Sequence, residues 1–514
     1  ISRKETYNGM SPEQVFLGMT FYPEEWTAQP IIKLSSQEAI RNLVHATGDR
    51  VSFNDFFASN GQYLLKDQVR AAYGRQAADR NATDKEIMKI DERVNICNMV
   101  FNGSMARIYP MPDDPNHEWK TPADAMKMPH DAGDASFVPH FFPDYSAAVM
   151  KAMDSGDWGD ANSLVASLHD YQKKNAGSEY ISERKVNMEI FLNKMNIFSR
   201  LSKIYGLLGF LFLLLFFARI FWSKISLRWS TNAAFYLMLV CFAAHTIGLA
   251  IRWYISGRAP WSNGYESMIY IGFTTVLAGM IFSRKSLGGL TATAILASTI
   301  LMVSGLSWLD PEITPLVPVL KSYWLTIHVS MEAGSYGFLM LGAIIGLLNL
   351  LLMIFLTRNN QAKVFKTIKE LTYVSEMTLI GGLIMISIGT YLGGVWANES
   401  WGRYWGWDAK ETWALVTTLV YSFILHMRFI PGISGTYAFN FASLFGFASV
   451  MMTYFGVNYY LSGLHSYAAG DPVPIPPSVY YTATFFTVIS ILGYIGYRRV
   501  SAPPEEKAGA LSAA

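Results

Sequence analysis

Long apolar segments constrain the fold of this chain more than any other feature. Residues 201–500 contain nine stretches close to the roughly 20 residues that a helix needs to cross the hydrocarbon core of a bilayer. The nine stretches are 204–222, 232–251, 267–283, 287–306, 328–356, 373–395, 411–429, 438–461 and 480–497. Because the bilayer core offers no water to satisfy backbone groups, each stretch predicts a helix. The expected fold is all-α, a polytopic membrane helix bundle of about nine spans.

Positive charges in the short loops predict the orientation of this bundle. The loops after the odd-numbered spans contain clusters of Lys and Arg, whereas those after the even-numbered spans contain few. Loops rich in Lys and Arg stay on the cytoplasmic side. The alternation holds through all nine spans, so residues 1–200 and the loops after the even-numbered spans are expected outside.

Residues 1–200 have mixed polarity and predict a separate, mainly helical extracytoplasmic domain. A Pro-rich stretch at 109–143 divides this domain, and a Pro/Ala/Glu tail at 501–514 is expected in the cytoplasm. The helices predicted in the domain are 35–46, 63–79, 83–101, 160–175 and 180–200. Because the chain starts at Ile1, we expect a mature fragment or part of a longer polypeptide.

Composition excludes several classes of protein. Charged residues make up 16% of the chain and hydrophobic residues 51%, whereas about 25% of a soluble protein is charged. This balance predicts contact with membrane lipid, and a net charge of +2 is too small to suggest nucleic acid as a partner. The two cysteines, Cys97 and Cys241, lie in different regions, which leaves no disulfide framework or Cys-rich metal site.

An aromatic external loop is the first candidate for chemistry. Residues 396–413 read WANESWGRYWGWDAKETW and include five tryptophans. An aromatic belt at the membrane interface is the alternative, but a belt places aromatic residues singly at helix ends. Tryptophans interleaved with glycines suit a flat apolar ligand, because rings stack on it and glycines let the backbone approach. The candidate ligand-binding residues here are Asn398, Trp401, Gly402, Tyr404, Trp405, Gly406, Trp407, Glu411 and Trp413, with Trp396 beside them.

Three histidines are placed where they could bind iron. His328 lies at the outer end of the fifth span and His465 just beyond the eighth, so both are expected outside, on either side of the Trp-rich loop in sequence. Two such imidazoles could be the axial ligands of a tetrapyrrole, although a single His at a boundary is more often an interfacial residue. His426, near the cytoplasmic end of the seventh span, could be functional or a plain interfacial residue beside Arg428.

Other residues have weaker signals. His245, inside the second span, is better explained by a hydrogen bond between helices, and the histidines of the N-terminal domain have no ligand spacing. A second external loop, 252–266, contains Arg252 and Trp261. Arginine could pair with a heme propionate, or it could extend from a helix end to the interface.

The segment WGRYWGWDAKETW at 401–413 resembles the tryptophan-rich "WWD" signature of heme-handling proteins. The surrounding pattern is similar to the CcsA/ResC branch and its CcsBA-type fusions, the bacterial cytochrome c synthases. It includes RWYISGRAPWSNGYESM at 252–268, His328, His426 and GLHSYA at 463–468. The resemblance covers about 230–497. Residues 1–200 resemble, much more weakly, the external region of the CcsB/ResB partner.

This resemblance implies a function and a set of roles. His328 and His465 would be the axial ligands of heme b at an external site, with the Trp-rich loop holding the ring. His426 would be one ligand of a second heme within the membrane, whose partner belongs to the CcsB portion and is not found here. Asp408, with Glu411, is expected to orient tryptophans or bind the apocytochrome, and Asp408 is grouped with His328 and His465 as a catalytic residue.

The activity implied is a holocytochrome c synthase in the bacterial cytoplasmic membrane, with its active site on the periplasmic face. The expected partners are apocytochrome c with its CxxCH motif, a CcsB/ResB-like half and thiol-reducing proteins. One alternative is a heme transporter or chaperone, similar to CcmC and CcmF, that does not attach heme. A second is an electron-transfer subunit with bis-His hemes, which would normally place both ligands of each heme inside the spans.

Overall fold

In the computed structural model the chain forms two compact units, Ile1–Ser182 and Glu183–Ala514. The structure describes residues 6–34, 38–44, 46, 48–75, 81–111, 118–125, 127, 137–177, 180–221, 227–306, 309–316, 320–461 and 475–500. His465 and the tail 501–514 lie outside these residues. The boundary between the units precedes the expected one at residue 200.

The N-terminal unit is mainly helical, as its sequence predicts. Its helices are α1 (Pro12–Phe21), α2 (Pro23–Thr27), α3 (Glu38–Leu43), α4 (Lys66–Gly74), α5 (Ala82–Phe101), α6 (Pro122–Ala125), α7 (Phe137–Ser155) and α8 (Gly159–Asn175). Two short antiparallel ladders pair β1 (Ile32–Lys33) with β2 (Arg50–Val51) and β3 (Tyr109–Pro110) with β4 (Trp119–Lys120). A core of fully buried side chains, including Met19, Ile40, Phe56, Leu65 and Ile90, holds the first part of this unit together.

A local capping box explains where α5 begins. Asn81 and Asp84 form a capping box, in which each side chain accepts the other residue's backbone N–H at 2.9 Å. The predicted helix at 83–101 therefore begins at Ala82. The prediction that 109–143 only separates helices is wrong at its end, since α7 begins at Phe137 and contains Pro139 and Pro143.

The second unit is a bundle of long helices. They are α9 (Glu183–Met195), α10 (Ile197–Phe221), α11 (Leu227–Ser256), α12 (Gly264–Phe282), α13 (Leu287–Ser304), α14 (Tyr323–Ile354), α15 (Gln361–Trp401), α16 (Ala409–His426), α17 (Thr436–Met451), α18 (Val457–Tyr460) and α19 (Pro477–Arg499). Asn196, with a φ of 41°, separates α9 from α10, so the predicted helix 180–200 is interrupted before it continues into the first span. A π-helical turn, Met452–Gly456, joins α17 to α18.

Eight helices among the described residues are long and apolar enough to cross a membrane. They correspond to eight of the nine predicted spans. The remaining one, predicted at 411–429, is the helix α16, which is not among the eight. Its first turn contains Lys410 and Glu411 and its last residue is His426, and these polar ends lower its hydropathy. The polytopic helical fold is confirmed: eight of the predicted spans are candidate spans within the described residues, and the ninth is the helix α16 of the same bundle.

Helix α14 lies at the centre of the bundle and packs against α12, α15, α17 and α19. Close packing and hydrogen bonds, rather than hydrophobicity, hold membrane helices together. Both are present here: Asn349 on α14 donates to Asn440 of α17 at 2.7 Å and to Thr372 of α15 at 3.1 Å. These contacts fix α14, the helix that contains His328.

Candidate functional site

The Trp-rich segment is mostly helical. Helix α15 extends to Trp401, and Gly402 ends it in the left-handed conformation with a φ of 70°. Only residues 402–408 form a connection before α16 begins at Ala409. The predicted loop 396–413 is therefore wrong in extent, because both its ends belong to helices. The Gly402 N–H donates to the carbonyl of Asn398 at 3.0 Å, which places Asn398 in the last turn of α15.

The five tryptophans have different environments. Trp396 is 1% exposed, and its ring lies 4.8 Å from that of Trp401 in an edge arrangement. Trp407 is 71% exposed, with its ring 5.7 Å from Trp405 and almost perpendicular to it. Trp413 is half-buried on α16. Trp396 thus belongs to the packed interior, whereas Trp407, like the exposed Tyr404, is available to a ligand.

The indole of Trp405 is a buried donor of this segment. The indole N–H of Trp405 is shielded from solvent and has no acceptor within the described part of the chain. A buried donor without a partner costs about 1–3 kcal/mol, so such groups are usually satisfied by water or a ligand. Trp405 therefore fits a surface that is completed by a bound molecule.

Asp408 and Glu411 fix the connection to α16. Asp408 is the N-cap of α16 and accepts the backbone N–H of Lys410 at 3.2 Å. The Glu411 carboxylate accepts the N–H of Gly406 at 2.8 Å and that of Asp408 at 3.3 Å. This capping box gives both residues a structural role. The predicted catalytic role of Asp408 stays a prediction.

Gly406 is covered by a neighbouring guanidinium. A Cβ at this position would lie 2.7 Å from Cζ of Arg403, so the absence of a side chain lets Arg403 fold over the connection.

His328 lies on the second turn of α14, held against α15. Its Nδ1 is 2.7 Å from the carbonyl oxygen of Gly389. Since a carbonyl only accepts, Nδ1 donates, and the neutral ring then has its lone pair on Nε2. A metal-binding histidine is typically oriented by a hydrogen bond of this kind. The ring also packs on Gly393, where a Cβ would lie 2.6 Å from Cε1 of His328.

The connection between α11 and α12 is built on a buried carboxylate. The predicted loop 252–266 is wrong in extent, because Arg252 lies in the last turns of α11 and Glu266 in the first turn of α12. Glu266, fully buried, accepts from Nε of Arg252 at 3.0 Å and from Nη1 of Arg258 at 2.7 Å. Arg252, which is 4% exposed, also donates to the carbonyls of Pro311 and Glu312 at 2.8 and 3.1 Å. The structure therefore gives Arg252 the role of joining the end of α11 to α12 and to the segment that contains Pro311 and Glu312. Its expected contact with a propionate stays a prediction.

Trp261 connects this loop to the helix of His328. Its indole N–H donates to the carbonyl of Thr326, two residues before His328, at 3.1 Å. Its ring lies 4.6 Å from that of Tyr270 and 5.5 Å from that of Trp253. Trp261 thus supports the first turns of α14, and direct contact with a ligand is untested.

His426 lies at the other end of α16 from the Trp-rich segment. The 18 residues of α16 span about 27 Å at 1.5 Å per residue. His426 is exposed, and its Nδ1 donates to the carbonyl of Ser422 at 2.7 Å, which again places the lone pair on Nε2. The geometry keeps His426 away from His328 and is compatible with a second ligand site.

His245 has the structural role that its sequence context predicts. It is fully buried, and its Nε2 donates to the carbonyl of Ile269 at 3.0 Å, which joins α11 to α12. In the N-terminal unit, His140 is exposed and His169 bonds to Tyr180. Within the described ranges the structure forms no cluster of three or more His, Cys, Asp or Glu residues able to hold a metal ion.

A small cavity of about 220 Å³ lies beside the Arg252 loop. It is lined by Asn263, Gly264, Tyr265, Leu309, Asp310, Glu312 and Thr314. Its volume is below the ~300–1,000 Å³ of typical ligand pockets, and His328 and the tryptophans do not line it. We do not assign the tetrapyrrole to this cavity.

Several residues that shape the site were missed in the sequence. Glu332, 8% exposed, lies one turn along α14 from His328, and Thr390 donates to its Oε1 at 2.9 Å. The sequence did contain a signal for Glu332, because an ionisable residue inside a predicted span indicates a functional role. The partners of Glu332 on α15 had no such signal, since their proximity depends on tertiary packing.

Comparison with known proteins places the chain beside cytochrome c assembly proteins. A family model described as "Cytochrome C assembly protein" matches residues 261–465. Protein NrfI of Wolinella succinogenes is 39% identical over 495 residues, which cover 96% of the chain and 54% of NrfI. The chain thus spans about half the length of this relative.

Shorter relatives match the second half of the chain. Cytochrome c biogenesis protein CcsA of Marchantia polymorpha is 34% identical over 303 residues, 50% of the chain and 94% of that protein. The protein of the same name from Prochlorococcus marinus strain MIT 9303 is 32% identical over 300 residues, 51% of the chain and 92% of that protein.

Proposed function

Since the chain belongs to the family of CcsA cytochrome c biogenesis proteins, we propose that it acts as a cytochrome c synthase. In this role it exports heme across the bacterial cytoplasmic membrane and presents it on the external face. There the two thiols of a CxxCH motif in apocytochrome c add to the heme vinyl groups. Each addition forms one carbon–sulfur bond and moves the thiol hydrogen to the vinyl group, so the protein needs no nucleophile of its own.

The geometry of His328 is the observation that carries this proposal. The Gly389 carbonyl fixes the ring with the lone pair on Nε2, the state in which imidazole binds iron. His328 also packs on α15, the helix that ends in the Trp-rich segment. His328 and His465 are the proposed axial ligands, and Trp407, Tyr404 and Trp405 supply the aromatic surface for the ring.

We propose that the protein acts by holding heme and the apocytochrome in the correct relative orientation. Heme b supplies the iron and the reactive vinyl groups, and the protein holds them where a bound CxxCH segment can reach them. Orientation of two reactants in this way can contribute roughly 7–11 kcal/mol to catalysis. The histidine of the CxxCH motif then replaces one synthase histidine on the iron, which releases the product.

His426 is the proposed ligand of a second heme on the path from the cytoplasm. Its tautomer leaves Nε2 to bind iron, and it lies at the opposite end of α16 from the external site. Its proposed partner ligand belongs to the CcsB/ResB-like half. Two sites in series explain export without a separate transporter.

Reconstitution with an apocytochrome tests the synthase activity. The full chain, purified from membranes with its heme, is mixed with a reduced apocytochrome c, and covalent heme is measured on a denaturing gel. We expect heme-stained product with the CxxCH substrate and none with a substrate in which both cysteines are serine. Heme held by the protein without any covalent product would instead support the transporter or chaperone alternative.

A histidine variant links this activity to the site. His328→Gly should reduce heme content severalfold, and added imidazole should restore part of it by replacing the lost side chain. Heme content that is unchanged in His328→Gly would contradict ligation by His328, whatever the outcome of the reconstitution.

A further inference from the structure

We infer that Glu332 and Lys410 are positioning residues that hold the His328 imidazole and the Trp-rich segment in one arrangement. The inference rests on the proposed function only in taking His328 as a heme ligand. Neither residue was a candidate on sequence grounds, and both lie within the part of the bundle that contains the site.

Glu332 is a carboxylate placed at the interface of α14 and α15. It is 8% exposed, although burial of an ionisable group costs several kcal/mol unless partners compensate it. Thr390 donates its hydroxyl to Oε1 at 2.9 Å, and Tyr336 lies 3.5 Å from Oε2. A costly group with dedicated partners at this position indicates a role beyond packing.

The same contacts hold the carbonyl that orients His328. Thr390, which bonds to Glu332, follows Gly389, whose carbonyl accepts the Nδ1 proton of His328. A Cβ at Gly389 would lie 3.0 Å from Oε1 of Glu332, so the carboxylate packs directly on this turn of α15. Glu332 therefore fixes the position of α15 along α14, and with it the orientation of the His328 ring.

Lys410 brings the Trp-rich segment and α18 into the same arrangement. Its Nζ donates to Oδ1 of Asn458 at 3.1 Å, and Asn458 donates to the carbonyl of Tyr454 at 2.7 Å. The Tyr454 ring lies 6.0 Å from that of Tyr336, which also contacts Glu332. Lys410 thus joins the Trp-rich connection to α18 and, through Tyr454 and Tyr336, to the helix of His328.

Because the two side chains are of opposite charge type, their substitution is expected to shift the potential of the external heme in opposite directions. A nearby negative charge stabilises the ferric state and a positive charge stabilises the ferrous state, most strongly where water is excluded. Removal of the carboxylate charge should raise the midpoint potential of the external heme. Removal of the lysine charge should lower it.

Three variants separate position from charge. Glu332→Gln keeps an oxygen that accepts from Thr390 and removes the charge, Glu332→Ala removes both, and Lys410→Met keeps the length of the side chain without the charge. The matched control is Glu376→Gln, which changes a carboxylate of α15 that pairs with Arg428 at 2.7 Å, near the His426 end of the bundle. The full chain is purified with its heme for each variant.

We expect Glu332→Ala to lose external heme severalfold and to recover part of it with imidazole, as His328→Gly does. Glu332→Gln should keep its heme with a raised midpoint potential, Lys410→Met should show a lowered potential, and Glu376→Gln should change neither. Potentials that move in the same direction in Glu332→Gln and Lys410→Met, or heme content in Glu332→Ala that equals the wild-type value, would overturn the inference.

These measurements do not depend on the covalent attachment of heme to an apocytochrome. Heme content and potential can be obtained from a protein that binds heme and attaches none, so a failed reconstitution leaves this test intact. Loss of folded protein in Glu332→Ala without imidazole recovery would assign Glu332 a purely structural role and reject the inference.

Discussion

The buried carboxylate of Glu266 shows how single residues set the architecture of the external loops. Two arginines, Arg252 and Arg258, share it, and the Ser262 N–H adds a third donor at 3.0 Å. A buried charge of this kind is stable only while its partners remain, because its hydration has been lost. Arg252 also donates to two carbonyls of the 309–316 segment, so one side chain joins that segment to α11 and α12.

Arg252→Gln should therefore lower the stability of the folded bundle by up to about 3–5 kcal/mol, because it removes one of the two arginines that compensate the buried carboxylate of Glu266. The measurement is thermal unfolding of the detergent-solubilised full chain, followed by size-exclusion chromatography. Arg428→Gln is the control, since Arg428 is 59% exposed and its pair with Glu376 should contribute only ~0–1 kcal/mol. Equal melting temperatures in the two variants would contradict the structural role of Arg252.

Variants of two tryptophans in the Trp-rich segment, Trp407 and Trp396, should separate the effect on ligand binding from the effect on folding. Trp407→Ala should reduce heme content with little change in melting temperature, because this side chain is 71% exposed. Trp396→Ala should lower stability by roughly 3–5 kcal/mol, the cost of removing a large buried aromatic side chain. Heme content and melting temperature are measured for both, and heme content in Trp407→Ala equal to wild type would remove Trp407 from the binding surface.

The sequence was sufficient to predict which segments form helices, but not the residues at which those helices begin and end. Apolar runs are local signals, and eight of the predicted spans are helices able to cross a membrane. The end of α15 was mispredicted, because Trp396–Trp401 continue a helix that Gly402 terminates only in its left-handed conformation. The start of α16 depends on hydrogen bonds that the carboxylates of Asp408 and Glu411 accept. The many Trp and Gly residues around them make this cap difficult to recognise in the sequence.

The cap of α16 allows a test of the catalytic role predicted for Asp408. Asp408→Asn keeps a capping side chain, whereas Asp408→Ala removes it at a cost of about 0.5–2 kcal/mol. If Asp408 acts only as a cap, Asn should retain stability and covalent heme attachment, and Ala should lower both. Loss of attachment in Asp408→Asn at normal heme content and melting temperature would instead show a chemical role for the carboxylate.

For the whole molecule, the sequence predicts where the candidate site lies, but it could not predict the packing contacts around that site. Charge alternation, the Trp-rich signature and His328 together predict a site at one end of the bundle. The contact of Glu332 with Thr390 joins residues 58 positions apart, and that of Lys410 with Asn458 joins residues 48 apart. No local pattern encodes such pairs, because they exist only once α14, α15, α16 and α18 have packed.

The two-site path for heme makes a prediction about the molecule as a whole. His426→Gly should reduce total heme in the purified full chain severalfold, since heme that is not bound at the inner end does not reach His328. Total heme is measured as the pyridine hemochrome per folded protein. His245→Gln is the matched control, because His245 is buried and bonds to Ile269 between α11 and α12. Heme added directly to the purified His426→Gly protein should load the external site, because this heme does not need to pass the inner site. Unchanged heme content in His426→Gly, or a loss that His245→Gln shows equally, would exclude His426 from the path.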